Sequence, residues 1–169
     1  ISTRSLPASG WVSITAKPGT RIKLLSPADC VMQLDFTAGG AFWDYRALVE
    51  QFILDGNGLA LDGLSLKGVI SSRFNKVRAT NVTRAGLHLH WAQLCVFDEF
   101  ECSGNIEAFT TTPLHGILAD TQSSSANTFI SAAIEKVSGA GIEAEKLINS
   151  TFMNGTSEGN GTTGIEFGR

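Results

Sequence analysis

Five glycines mark off similar lengths of this chain. Gly63, Gly86, Gly116, Gly141 and Gly164 follow one another at intervals of 23, 30, 25 and 23 residues. Phe74, Phe129 and Phe152 each stand twelve residues before the next of these glycines. Phe52 stands eleven before Gly63, and Phe97 nineteen before Gly116, which places an inserted seven-residue loop within 105–113. A repeat of this length means a solenoid, in which each unit buries its apolar side only against its neighbours.

The segment after each glycine alternates: Gly-Leu-Ser-Leu-Lys, Gly-Leu-His-Leu-His, Gly-Ile-Leu-Ala-Asp, Gly-Ile-Glu-Ala-Glu and Gly-Ile-Glu-Phe-Gly. Positions one and three are apolar in all five copies, a period of two that predicts a strand with one face buried. A leucine-rich repeat would share the strands but not the missing helical half-repeat. The expectation is an all-β fold, a single-stranded parallel β-helix of about 23 residues per coil and about seven coils. Like residues then stack on successive coils about 4.8 Å apart.

Phe52-Ile-Leu-Asp-Gly-Asn-Gly58 with Asp62-Gly-Leu-Ser-Leu66 resembles the coil of the pectate-lyase superfamily. Asn127-Thr-Phe129, and Thr156-Ser-Glu-Gly-Asn160 with Gly164-Ile165, resemble later coils of the same right-handed β-helices, closest to those of bacteriophage tailspikes and tail fibres. The resemblance covers about residues 48–167. It implies a right-handed helix, a homotrimer, a place in the virion tail, and a bacterial surface polysaccharide as partner.

Composition agrees with a turn-rich β protein: 18 glycines and only 17% charged residues in a chain that fits one domain. Residues 1–47 read as irregular first coils carrying an aromatic loop, and 48–169 as the regular coils. A net charge of −3 with no Lys/Arg cluster argues against nucleic acid. No apolar run of about 18 residues offers a membrane span. Cys30, Cys95 and Cys102 lack metal-type spacing and read as buried thiols. The start lacks an initiator Met and a leader pattern, and Glu166-Phe-Gly-Arg169 stops inside a strand, so the expectation is a fragment of a longer solenoid.

Stacking converts the repeat into columns of side chains. Position four gives Lys67, His90, Asp120 and Glu145; position two gives Ser65, His88, Leu118, Glu143 and Glu166. Asp120 and Glu145 fall at about the separation of a retaining glycosidase's two carboxyls, with His90 as base or modulator. Glu135 and Glu158, each six residues after its phenylalanine, form a second acidic pair, and Asp98, Glu99 and Glu101 a third group. Lys67, His88, Trp91 and the patch Trp43-Asp44-Tyr45 are candidates for substrate binding, since sugar faces stack on aromatic rings. His88 and His90 could chelate zinc at i, i+2, but no Cys or Asp placed by a motif joins them, so solvent-facing histidines are the reading and no metal or cofactor is expected. Asp55-Gly-Asn-Gly58 lacks the spacing of an EF-hand loop and reads as a turn.

These features lead to a tailspike or tail-fibre segment that recognises, and where catalytic depolymerises, bacterial surface polysaccharide. The alternatives are a secreted polysaccharide lyase or glycoside hydrolase, and a non-catalytic shaft or adhesin.

Overall fold

A computed structural model describes residues 10–37, 45–104 and 111–167. The chain opens with β1 (Gly10–Lys23), β2 (Ala28–Asp35), the long β3 (Tyr45–Ile70), β4 (Arg73–Asn75) and β5 (Arg78–Gln93). Shorter strands follow: β6 (Val96–Asp98), β7 (Glu101–Ser103), β8 (His115–Leu118), β9 (Ser124–Ser125), β10 (Thr128–Ile130) and β11 (Ala133–Glu135). The last are β12 (Ile142–Ala144), β13 (Leu147–Ile148), β14 (Thr151–Met153), β15 (Thr156–Glu158) and β16 (Ile165–Phe167). Every pairing given for these strands is parallel. Parallel neighbours cannot be joined by hairpins, so the chain must travel round and return on the same side each time. The product is an all-β, solenoid-like curled sheet.

The columns expected from the repeat are present. Met32, Leu64, Leu87, Ile117, Ile142 and Ile165 pair in turn, and the first five are fully or almost fully buried. A second column runs Ile14, Val49, Phe74, Phe97, Phe129 and Phe152. Its aromatic part stacks ring on ring, with centroids 4.9, 4.8 and 4.5 Å apart and planes within 11° of parallel. Strand separation sets that spacing, and offset parallel rings add to simple burial. Each column is six deep among the described residues, not seven. The first step is longer than 23, since Ser13 pairs with Leu48 and Met32 with Leu64, and with the insertion before His115 it takes up chain that further coils would need. Phe52 is outside the ladder: Val49 pairs with Phe74 and takes its place.

The glycines are required for space. A Cβ on Gly63, Gly86, Gly116 or Gly141 would lie 2.7, 2.9, 2.8 or 2.7 Å from the carbonyl oxygen of the next glycine in the series. It would also run into Ala79, Cys102, Ile134 or Ser157 across the coil. Another set of corners turns on single left-handed residues: Ser71, Leu94, Ala126 and Asn149, with φ of 49°, 54°, 53° and 48°. Their amides continue the ladder, Ser71 donating to the Gln93 carbonyl, Leu94 to Ser125 and Ala126 to Ile148. The residue after each is small or polar, and satisfies backbone that the bend exposes. Ser72 Oγ accepts from the Ala47 amide, Asn127 Oδ1 from Cys95, and Ser150 Oγ from Asn127.

The inserted seven residues fall between Glu101 and His115, because Arg78 pairs with Glu101 and Ala85 with His115. Asp55 forms the turn read from its Asp-Gly-Asn-Gly sequence: its Oδ1 accepts from the Asn57 amide at 2.9 Å and from Asn81 Nδ2 at 3.0 Å.

Candidate functional site

A further length change builds the site. Leu118 pairs with both His88 and Glu143, while Ser124 pairs with Leu147 and Ser125 with Gln93. Four residues, 120–123, therefore occupy a corner that the coils on either side cross with two. The bulge is visible in the backbone: Ala119 donates to Glu143, yet its carbonyl accepts from Lys146, one residue past the regular partner. The extra length lets Asp120 and Thr121 reach back to the preceding coil. Asp120 Oδ1 lies 2.8 Å from His88 Nε2, and Thr121 Oγ1 lies 2.8 Å from His90 Nδ1.

On its other side His88 Nδ1 is 2.9 Å from Asp62 Oδ2. Arg84 forks onto the same carboxylate, Nε to Oδ1 at 2.9 Å and Nη2 to Oδ2 at 2.6 Å. The result is a line of four groups, Arg84–Asp62–His88–Asp120, lying outside the apolar column. Asp62 and His88 are each 1% exposed. Here the structure corrects the solvent-facing reading of His88: the two-residue bulge, Asp62 and the His90 ring, 3.6 Å away between centroids, cover it. Burial opposes ionisation of Asp62, but the contacts from His88 and Arg84 outweigh it and hold the carboxyl below its ordinary range. Burial, then the charges of His88 and Lys67, lowers the His90 imidazole to about 4. His90 is thus a neutral, half-buried base near neutral pH.

Above this line opens a cleft of ≈ 250 Å³, whose walls include Gln33, Asp62, Ser65, Lys67, Arg84 and His90. Lys67 pairs with His90 in the ladder, as the column argument requires. Glu145 is exposed and 3.6 Å from its neighbour Lys146, whereas Asp120 is engaged with His88. The bulge separates their rungs, so the ladder does not set the two carboxylates square to each other. Trp91 is half-buried at the corner, with φ of 95° and its amide 3.3 Å from Ser124 Oγ. Such a backbone angle is rare for a bulky residue. Glu135 and Glu158 do pair, in a different ladder, with Glu135 half-buried and Glu158 exposed. Trp43 and Asp44 lie outside the described residues; Tyr45 is described only as the first residue of β3.

A larger cleft of ≈ 320 Å³ lies over Gln51 and Phe52. Among its charges, Lys76 is paired with Glu99 at 3.7 Å and Arg78 with Glu101 at 3.6 Å. With Arg73–Asp98 at 3.1 Å these pairs also account for the third acidic group. Cys95 and Cys102 are buried with thiols pushed up to about 12 by burial, which leaves them inert; Cys30 is half-buried.

Asp62, Arg84 and Thr121 were not singled out from the sequence. Asp62 precedes its glycine and so falls off the alternating positions. The available signal was the 25-residue step from Gly116 to Gly141, two longer than the coil repeat. No protein-family model, curated protein or solved structure matches this chain.

Proposed function

We propose that the chain is a right-handed β-helical segment of tailspike or tail-fibre type, and that the cleft over Asp62 and His88 binds a bacterial surface polysaccharide. The observation that carries this is the Arg84–Asp62–His88–Asp120 line beneath an open cleft, its middle two members buried and its ends half-buried. A shaft needs no such line, since charges withdrawn from water are costly unless they serve something. In this reading Lys67 and Arg84 present donors to sugar hydroxyls and carboxylates, His90 accepts through its other ring nitrogen, and Trp91, next to it in sequence, offers a ring. Held on rungs of a rigid sheet, these groups bind without first being ordered. The segment acts as a homotrimer in a virion tail.

The test is retention of purified capsule and lipopolysaccharide from a bacterial panel on the immobilised protein. Lys67→Ala and Trp91→Ala are expected to weaken the retained glycan about tenfold each, or about 1.4 kcal/mol. Unchanged retention in both variants would move the site elsewhere.

Cleavage is the catalytic form of the same reading, with Asp120, Glu145 and His90 as its residues. The neutral His90 imidazole in the cleft favours it. The retained glycan should then shorten on incubation, and Asp120→Asn or Glu145→Gln should each slow this by about 100-fold or more.

A further inference from the structure

His88 presents an unusual balance of protons. A neutral imidazole has one N–H and one lone pair. Both of its nitrogens nevertheless face carboxylate oxygens, Asp62 at 2.9 Å and Asp120 at 2.8 Å. Only one can be served by the single proton of the neutral ring. The other contact sets a lone pair against an anion unless a second positive species stands there. In a buried place that species is either another proton or a metal ion.

The surroundings favour the ion. Asp62, His88 and His90 each offer one donor atom, and these atoms all lie within 4.8 Å of one another. Two imidazoles and one carboxylate are the set used by zinc and its first-row neighbours, while calcium and magnesium prefer oxygen alone. We propose that Asp62, His88 and His90 bind a divalent transition-metal ion such as zinc, with Asp120 as the residue that positions His88. Asp120 accepts the Nε2 proton of His88 and turns the Nδ1 lone pair towards Asp62. This is the outer-shell carboxylate that metal-bound histidines ordinarily have. Thr121 does the same for His90, taking its Nδ1 proton and leaving Nε2 as the donor atom.

The donor atoms around tetrahedral zinc stand about 3.3 Å apart, from bond lengths near 2 Å. The 2.9 Å contact between Asp62 Oδ2 and His88 Nδ1 must therefore open by a few tenths of an ångström, and the widest separation in the set, at most 4.8 Å, must close by up to about 1.5 Å, while Arg84 keeps its hold on Oδ1. With a single proton on His88, two carboxylates against Arg84 leave one excess negative charge in the line, which a second proton or a bound cation offsets. Lys67, the ladder partner of His90, opposes it. The fourth position faces the cleft, open to water or to a ligand hydroxyl.

The proposal stands without the glycan reading, and its test contains no glycan. The whole chain, stripped by chelator and dialysed, is titrated with zinc chloride by calorimetry, with calcium chloride as control and circular dichroism to check the fold of each variant. One zinc per chain is expected, in the micromolar range or tighter, with no calcium heat. His90→Gln should weaken zinc about 100-fold or more, and Asp120→Asn about 10–100-fold, as loss of an orienting carboxylate does. Lys67→Gln should tighten it a few-fold. Absence of saturable zinc binding, equal binding by calcium, or parental affinity in folded His90→Gln would each overturn the proposal.

Discussion

His90 carries a testable sign. Its imidazole is lowered to about 4 in the fold by burial and by the charges of His88 and Lys67, against 6.5 ordinarily. As pH falls from 6.5 towards 4, the unfolded chain takes up a proton that the folded one refuses, so stability must drop across that window and level off below it. Asp62, held below the ordinary carboxylate range, supplies stability above its unfolded value of 3.8 and loses it as pH falls further. Thermal midpoints of the metal-free protein should therefore decline from pH 6.5 to 4, and His90→Gln should flatten that limb while leaving the more acidic one. A second residue prediction concerns Leu94, 56% exposed and left-handed at 54°. Asn149, two coils on in the same set of corners, shows what suits the position. Leu94→Asn should stabilise by about 0.5–1 kcal/mol, read as a raised melting temperature, because left-handed geometry costs about 1–2 kcal/mol in an ordinary side chain and less in asparagine.

At the scale of the element, the phenylalanine ladder distributes its energy unevenly. Phe97 and Phe129 are fully buried with a ring on each side, whereas Phe152 is 36% exposed with its described ring neighbour on one side. Phe97→Ala should cost about 3–5 kcal/mol in urea unfolding, and Phe152→Ala less than half of that. Most of this ladder was legible, since a fixed interval between phenylalanine and glycine can only mean stacking. Phe52 was misplaced because its interval is eleven. The step from Leu48 to Arg73 is 25 residues, and only the pairing shows Val49 aligned with Phe74. The site was half legible for a related reason. His88, His90, Lys67 and Asp120 sit at repeat positions, so arithmetic finds them. Asp62 and Arg84 are joined to them by side chains that cross between rungs, and no interval encodes that. The two extra residues were countable between Gly116 and Gly141, but their placement at 120–123 follows from the backbone.

Taken as a whole, the molecule is a stack in which each rung is bonded to the ones beside it, over sequence steps of 22 to 35 residues. Contacts this distant in sequence must form against loop-closure entropy, so folding should be slow for the chain's size, on the scale of seconds or longer. Nearest-neighbour bonding also makes a corner answerable only to the corners next to it. The extra pair of residues at 120–123 lengthens one bend and leaves the interior columns alone. Excision of Gln122 and Ser123 should return the bend to the length of its neighbours, keep a cooperative melt, and release Asp120 and Thr121 from the two histidines. A lineage built in this way can gain, move or discard a specificity through small insertions and deletions, at a tempo separate from the slow drift of its packed interior.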